Sequence, residues 1–347
     1  MKTVNIGVIG CGSIARNRHI PEYEANPHTT IRAVCDLVQE RAAETASHLG
    51  AAAYTDYHEL LKDESIEAVS VCTSNHMHAQ ISIDALFAGK HVLCEKPMAT
   101  SAQEAEEMME AEKRSGKKLM IAHNQRFVPS HVKARELIVG GDLGKIFSFR
   151  TTFGHGGPEG WSIDGKDSWF FRREEAFIGA MGDLGVHKSD LIQFLLGEPV
   201  TQVAAFVENN AKENITVDDN AVCLLKTAGG LIGTLTASWA YVPDEDNSTI
   251  IYGEKGTLRL EDDPVHSLTA HYTNGHTVRY ELGGIQTNDA DGQESSGVID
   301  AFTESIVSDT GVPVSAADGK QALDVILAAL ASSERGQFIT IGKEGVQ

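Results

Sequence analysis

The first third of the chain alternates short apolar runs with amphipathic stretches. Thr3–Ile9 is rich in β-branched residues and stops at Gly10. Similar runs recur at Thr30–Cys35, Ala51–Tyr54, Glu67–Cys72, Val92–Cys94 and 118–122. Each has the length of a strand. Their near-continuous apolar character fits strands buried on both faces, as in parallel sheets. Between them lie helical patterns at 37–49, 77–88 and 101–115, ended by Gly50, Gly89 and Gly116, with Ser101 and Glu104 spaced as a capping box. This β–α rhythm over 3–122 predicts a doubly wound parallel sheet.

After Asn124 the period changes to two. Segments 145–153, 200–208, 219–227, 230–240, 248–252, 256–261, 267–273 and 276–282 alternate polar and apolar positions between Gly, Asn and Asp turns, which predicts a mainly antiparallel sheet. Helices are expected near 130–139, 180–196, 298–309 and 319–333, a long loop at 154–178, a polar loop at Gln286–Ser296, and a last strand at Phe338–Ile341. The expected fold class is therefore α/β: an N-terminal doubly wound domain at 1–123, and a C-terminal α/β domain at 124–347 with a large open sheet. The C-terminal helices and last strand are free to pack back on the first domain.

Composition narrows the partners. Asp plus Glu number 49 against 29 Lys plus Arg, a net charge of −20. No basic footprint for nucleic acid or an acidic membrane is expected. No apolar run approaches the length of a membrane span, and Met1–Val4 runs straight into a strand, leaving no room for a signal peptide. The five Cys show no CxxC spacing and read as small buried hydrophobes, consistent with a cytoplasmic protein.

The first strand runs into Gly10-Cys11-Gly12-Ser13-Ile14-Ala15, a GxGxxA turn that opens a helix. Gly10 permits the tight turn, Gly12 lets backbone approach a pyrophosphate, and Ala15 lets helix pack on strand. The pyrophosphate is expected at the helix N-terminus, on the N–H groups around Ser13 and Ile14. Asp36 closes the second strand, where a carboxylate accepts bonds from the adenosine ribose and repels a 2′-phosphate. This favours NAD over NADP, although Arg41, a helical turn on, can soften the repulsion. Asp36 also reads as an N-cap for helix 37–49. Thr73-Ser74-Asn75-His76-Met77-His78 puts short polar side chains at the fourth strand's end, facing the cofactor. His76 and His78, two residues apart, do not converge on one ion, and no metal is expected.

The stretch His91–Thr100, HVLCEKPMAT, places Glu95 and Lys96 at the carboxyl end of a buried strand, where open α/β sheets put their ligand crevice. Pro97 holds Lys96 extended. In the helix 180–196, Leu184, Leu191, Ile192 and Leu195 form a core face, while Asp183, His187, Asp190 and Phe194 make a second stripe about 60° wide. Asp183 and His187 are i,i+4 neighbours. Gly179, Gly182 and Gly185 in its first turns imply a close approach to the backbone. Lys188 falls on the apolar side and reads as snorkelling.

In this order and spacing, GCGSIA, Asp36, TSNHMH, CEKP and GDLGVHKSD resemble the Gfo/Idh/MocA family of NAD(P)-dependent sugar and polyol dehydrogenases, from Val4 to about Ile341. The resemblance implies a Rossmann domain followed by an α/β domain whose sheet mediates dimers, often paired into tetramers. It implies Lys96, Asp183 and His187 as the catalytic triad, a cis peptide before Pro97, and Glu95 on the nicotinamide ribose. Thr73, Asn75 and His78 would line the cofactor, and Asn124 and Arg126 would face nicotinamide and substrate. Thr73-Ser74-Asn75 stands where the family usually has Thr-Pro-Asn, and the Trp–Arg element is spread out as Trp169-Phe170-Phe171-Arg172. His155 and Trp161, in the long loop, are further candidates for binding a sugar. The expected reaction is reversible oxidation of a secondary hydroxyl on a ring sugar or polyol. Alternatives are a catalytically silent NAD-binding regulator, an NAD-dependent glycosidase, or a keto-sugar reductase.

Overall fold

A computed structural model describes residues 3–283 and 295–342. The chain divides into two compact units. The first comprises Met1–Asn124, Trp161–Trp169 and Gln286–Lys320; the second comprises Gln125–Gly160, Phe170–Ile285 and Gln321–Gln347. The division therefore differs from a single boundary at 123/124, because two later segments return to the first unit.

The first unit is built on six parallel strands: β1 (Val4–Ile9), β2 (Thr29–Cys35), β3 (Ala52–Tyr54), β4 (Ala68–Val71), β5 (His91–Cys94) and β6 (Leu119–Ile121). Their order is β3-β2-β1-β4-β5-β6, so the sheet reverses direction between β1 and β4. Residues of β1, β4 and β5 are almost fully buried, as their unbroken apolar runs require. Ser101 caps the helix Ala102–Ser115 by accepting from Glu104 N at 3.2 Å, and Gly50 and Gly116 end their helices in the left-handed conformation. The segment from Ser295 packs here too. Ser296 donates from N and Oγ to the Glu22 carboxylate, both at 2.9 Å, and Asn26 donates to Asp300 at 2.7 Å. Most of the expected loop at Gln286–Ser296 lies outside the described residues.

The second unit holds a nine-stranded sheet. Its strands are β7 (Ile146–Gly154), β8 (Val200–Glu208), β9 (Asn220–Thr227), β10 (Ile232–Ser238), β11 (Thr249–Gly253), β12 (Gly256–Leu260), β13 (Leu268–Tyr272), β14 (Thr277–Tyr280) and β15 (Ile339–Thr340). The order is β14-β13-β12-β11-β7-β10-β9-β8-β15, antiparallel except for the β7–β10 pair. The last strand pairs with β8 in this sheet. The helix Val298–Val307 belongs to the first unit.

One face of this sheet is covered. Phe149, Phe153, Cys223, Leu225 and Leu235 point into the core. On the other face Phe206 is paired across the strands with Val222, and Leu224 with Thr234. Phe206 is 74% exposed and Leu224 55%.

Candidate active site

In the first unit the turn after β1 has the shape its sequence demands. Gly10 has φ +93°, and a Cβ there would stand 2.5 Å from Cys72 O, so no side chain is tolerated. A Cβ on Gly12 would meet nothing within 4 Å, which leaves an open approach for a ligand to the backbone. Ala15 is fully buried against the sheet. Asp36 stands at the end of β2. Its Oδ2 accepts from Cys11 N and its Oδ1 from Val38 N, both at 2.9 Å. The helix begins at Gln39, so Asp36 braces the glycine-rich turn more than it caps the helix. Asn75 is buried at the start of the turn after β4, and Thr73 is half-buried. Asn124 is buried, and its Oδ1 has no hydrogen-bond partner among the described residues. An open glycine, a carboxylate at the end of β2 and an orphaned amide oxygen together fit a dinucleotide.

At the end of β5 the Lys96–Pro97 peptide is cis, as the resemblance implied. Lys96 is half-buried. Glu95 is buried with its Oε1 2.9 Å from His19 Nε2, while Oε2 accepts from Lys96 N at 3.1 Å. His19 Nδ1 lies 3.1 Å from Ser70 Oγ, which in turn lies 2.8 Å from the Tyr23 hydroxyl. Burial pushes the Glu95 carboxyl up, but the His19 hydrogen bond and the charges of His19 and Lys96 outweigh it and hold the group down to about 2. Glu95, expected on the nicotinamide ribose, is thus anchored from behind by His19. His78, expected to line the cofactor, is fully buried, with Nδ1 2.7 Å from Pro97 O and Nε2 3.1 Å from Thr73 O. Both ring nitrogens are spent on backbone, so His78 ties the two strand ends together and offers no nitrogen to a ligand. Burial lowers its pKa.

Trp161, in the long loop, lies in a segment that belongs to the first unit. Ser13 Oγ donates to Trp161 O at 3.1 Å and accepts from Ile163 N at 2.8 Å. One residue further, Asp164 Oδ1 lies 2.7 Å from Arg41 Nη2.

In the second unit the expected helix 180–196 begins as a π-helical turn, Met181–Gly185, and continues as an α-helix, Val186–Leu196. The wider i→i+5 turn shifts the phase of residues before Val186 against those after it. The predicted stripe accordingly splits. Asp183 Oδ2 accepts from Trp239 Nε1 at 3.2 Å. The His187 ring lies 5.9 Å from Phe153, which meets His155 edge-on at 5.8 Å. Asp190 and Phe194 instead serve Arg126: its guanidinium reaches both Asp190 oxygens, the nearest at 2.6 Å, and stacks 5.3 Å over Phe194. Arg126, expected to face the substrate, thus has Nε and Nη2 committed to a buried carboxylate.

The glycines before His187 are forced by packing. A Cβ on Gly179 would stand 1.8 Å from Asp218 O, and one on Gly182 2.1 Å from Ile178 Cγ2. What approaches the backbone is the chain itself. Asp218 accepts from Gly179 N at 2.7 Å and Met181 N at 2.8 Å, so its carboxylate holds the start of the π-turn. Burial pushes Asp218 up to about 6 against these bonds.

Lys188 is a correction. It does not snorkel: it is fully buried, its Nζ donates to Asn247 O at 2.7 Å, and it lies 5.8 Å over the Phe153 ring. Burial lowers its pKa to about 7, against the opposing pull of Glu261, Asp246 and Glu245. Trp239, Asp218 and Lys188 were not legible as site residues. Only the apolar side of the helix, which is wrong for a lysine, signalled the last.

A parallel sheet with a glycine-rich turn and a carboxylate at its strand ends, joined in one chain to an open-sheet unit carrying an Asp–His helix, is the arrangement of a nicotinamide-dinucleotide-dependent oxidoreductase. Residues 4–123 match an oxidoreductase family's NAD-binding Rossmann fold, and residues 131–259 match a GFO/IDH/MocA C-terminal domain. Levoglucosan dehydrogenase from Pseudarthrobacter phenanthrenivorans is 30% identical over 270 residues, covering 69% of this chain and 68% of that protein. Myo-inositol 2-dehydrogenase from Thermotoga maritima is 28% identical over 97% of this chain and 98% of its own. A solved levoglucosan dehydrogenase in complex with NADH and levoglucosan superposes with a TM-score of 0.86 at 26% identity, covering 99% of this chain and 100% of that one. The chain belongs to the Gfo/Idh/MocA family of NAD(P)-dependent oxidoreductases.

Proposed function

We propose that this protein reversibly oxidises a secondary hydroxyl of a cyclic sugar or polyol, of the inositol or anhydrosugar type, with NAD. When bound, the nicotinamide supplies the hydride acceptor. Gly10, Gly12, Ser13, Ile14, Asp36, Thr73, Asn75 and Asn124 hold the dinucleotide, with Glu95 and His78 fixing the strand ends around it. Lys96 donates a hydrogen bond to the reacting oxygen and stabilises its developing negative charge. His187 takes the hydroxyl proton, since an imidazole is suited to accept a proton near neutral pH. Asp183, held by Trp239, orients substrate or imidazole. Arg126, His155 and Trp161 supply the surrounding contacts, Arg126 by fixing Asp190 on the same helix. The open face around Phe206 and Leu224 pairs with a second copy of the chain.

The observation that carries this reading is the burial of two ionisable groups at neighbouring turns of one helix, Asp183 in its π-turn and His187 just beyond it. Asp183 is 5% and His187 8% exposed, where apolar residues would pack at lower cost. The names of the relatives, levoglucosan and inositol dehydrogenases, support the substrate class. The test is a panel of inositols, anhydrosugars and aldoses with NAD, read at 340 nm. NADH formation with one of them is expected, and Lys96→Met and His187→Ala should each lower kcat by about 10²–10⁴-fold. A protein that binds NADH but turns over nothing in the panel, or whose two variants stay as active as the parent, would overturn the reading.

A further inference from the structure

We propose that Asp164 sets the choice between NAD and NADP by holding Arg41 away from a 2′-phosphate. The inference rests on the reading that Asp36 faces the adenosine ribose. Arg41 is the cation best placed to receive a 2′-phosphate, a helical turn beyond Asp36. Its Nη1 is 3.9 Å from Asp36 Oδ2, but its shorter contact, 2.7 Å, is to Asp164. The two residues are 123 positions apart in the chain.

The placement of Asp164 is not incidental. The loop that carries it is tied to the glycine-rich turn through the two Ser13 hydrogen bonds described above. Asp36, Arg41 and Asp164 therefore form a carboxylate–guanidinium–carboxylate row of net charge −1. The neighbouring Arg16 is occupied as well: Nε donates to Cys11 O at 3.0 Å and Nη2 to Glu44 at 2.8 Å. Both guanidinium groups beside the ribose carboxylate are thus already paired with a carboxylate. A 2′-phosphate, carrying nearly two negative charges, would have to displace Asp164 from Arg41 to gain a bidentate partner. Two free ribose hydroxyls need no cation and incur no such cost.

The test is cofactor binding alone, followed by NADH and NADPH fluorescence, so that no substrate is required. The readout is the ratio of the two dissociation constants, Kd for NADPH over Kd for NADH. Asp164→Asn should lower this ratio about tenfold. The same substitution made in an Arg41→Met background should lower it by less than about threefold, because the released guanidinium is gone. An unchanged ratio in Asp164→Asn would overturn the proposal. So would an equal fall in the Arg41→Met background, which would mean that removal of bulk negative charge suffices. Asp36→Asn is the control for the underlying reading. If it leaves the ratio unmoved, Asp36 does not face the ribose and the failure lies there; if it lowers the ratio while Asp164→Asn does not, the failure belongs to Asp164 alone.

Discussion

Lys188 shows how one side chain can reverse the usual direction of pH dependence. Its amine titrates near 10.5 when exposed and near 7 here. Between those values the unfolded chain binds the proton that the native chain does not, so stability rises with pH across that window. Below pH 7 the amine is charged in both states and the native state carries the full burial cost, on the order of 5 kcal/mol. Lys188→Met removes that cost but orphans Asn247 O, which costs about 1–3 kcal/mol. We expect the variant to be more stable than the parent at pH 6, by roughly 2 kcal/mol, and less stable above about pH 11, where the parent amine is neutral in both states. Urea unfolding at the two pH values checks this, and a variant less stable at both would show that the amine is not desolvated. The residue was misread from sequence because a lysine on an apolar helix face ordinarily reaches solvent along its stem. Here Phe153 and the segment at Asn247 close over it.

At the level of elements, what was readable depended on whether the signal was local. Among the described residues fifteen strands follow the apolar periods, because each period is written into consecutive residues. The GxGxxA turn was readable for the same reason, whereas the cis bond at Pro97 was implied by the family resemblance. The π-turn at Met181–Gly185 was not, since no residue in the helical pattern marks where an i→i+5 turn replaces an i→i+4 one. Nor were pairs joined across long separations, such as Arg126 with Asp190, 64 positions apart. The glycines did signal crowding, though the crowding partner is the chain itself, backbone at Gly179 and side chain at Gly182, and not ligand. That distinction predicts unequal costs for one substitution. Gly197→Ala enters open space and meets only an unfavourable φ of +69°, so it should cost about 1 kcal/mol. Gly179→Ala would drive a methyl group into Asp218 O and break the carboxylate's hold on Gly179 N and Met181 N. It should cost about 3 kcal/mol or more and lower kcat further, because His187 follows directly on the turn that moves. Equal urea midpoints for the two variants would mean that the Asp218 contact is soft.

Across the whole molecule, the net charge of −20 and the open face of the nine-stranded sheet pull in opposite directions. Excess negative charge keeps copies of a chain apart. Yet Phe206, Val222, Leu224 and Ile232 are 74%, 48%, 55% and 61% exposed, and the strand register sets them on one face. The opposite face of the same strands is buried core. Isolated exposed apolar residues need no explanation, but four on adjoining strands form a patch that a monomer rarely leaves uncovered. A flat sheet face is self-complementary under a two-fold axis, since each strand can meet its own copy. The dimer expected on this face should therefore be held by apolar contact and survive high salt, which screens the charge repulsion and leaves burial intact. Leu224→Glu would put a charge on each copy into the apolar patch, to be desolvated on association. Sedimentation velocity should show the parent as a dimer or larger at both low and high salt, and the variant as a slower, smaller species with unchanged far-ultraviolet circular dichroism. A parent that sediments as a monomer, or a variant that keeps the parent's size, would remove this face as the site of assembly.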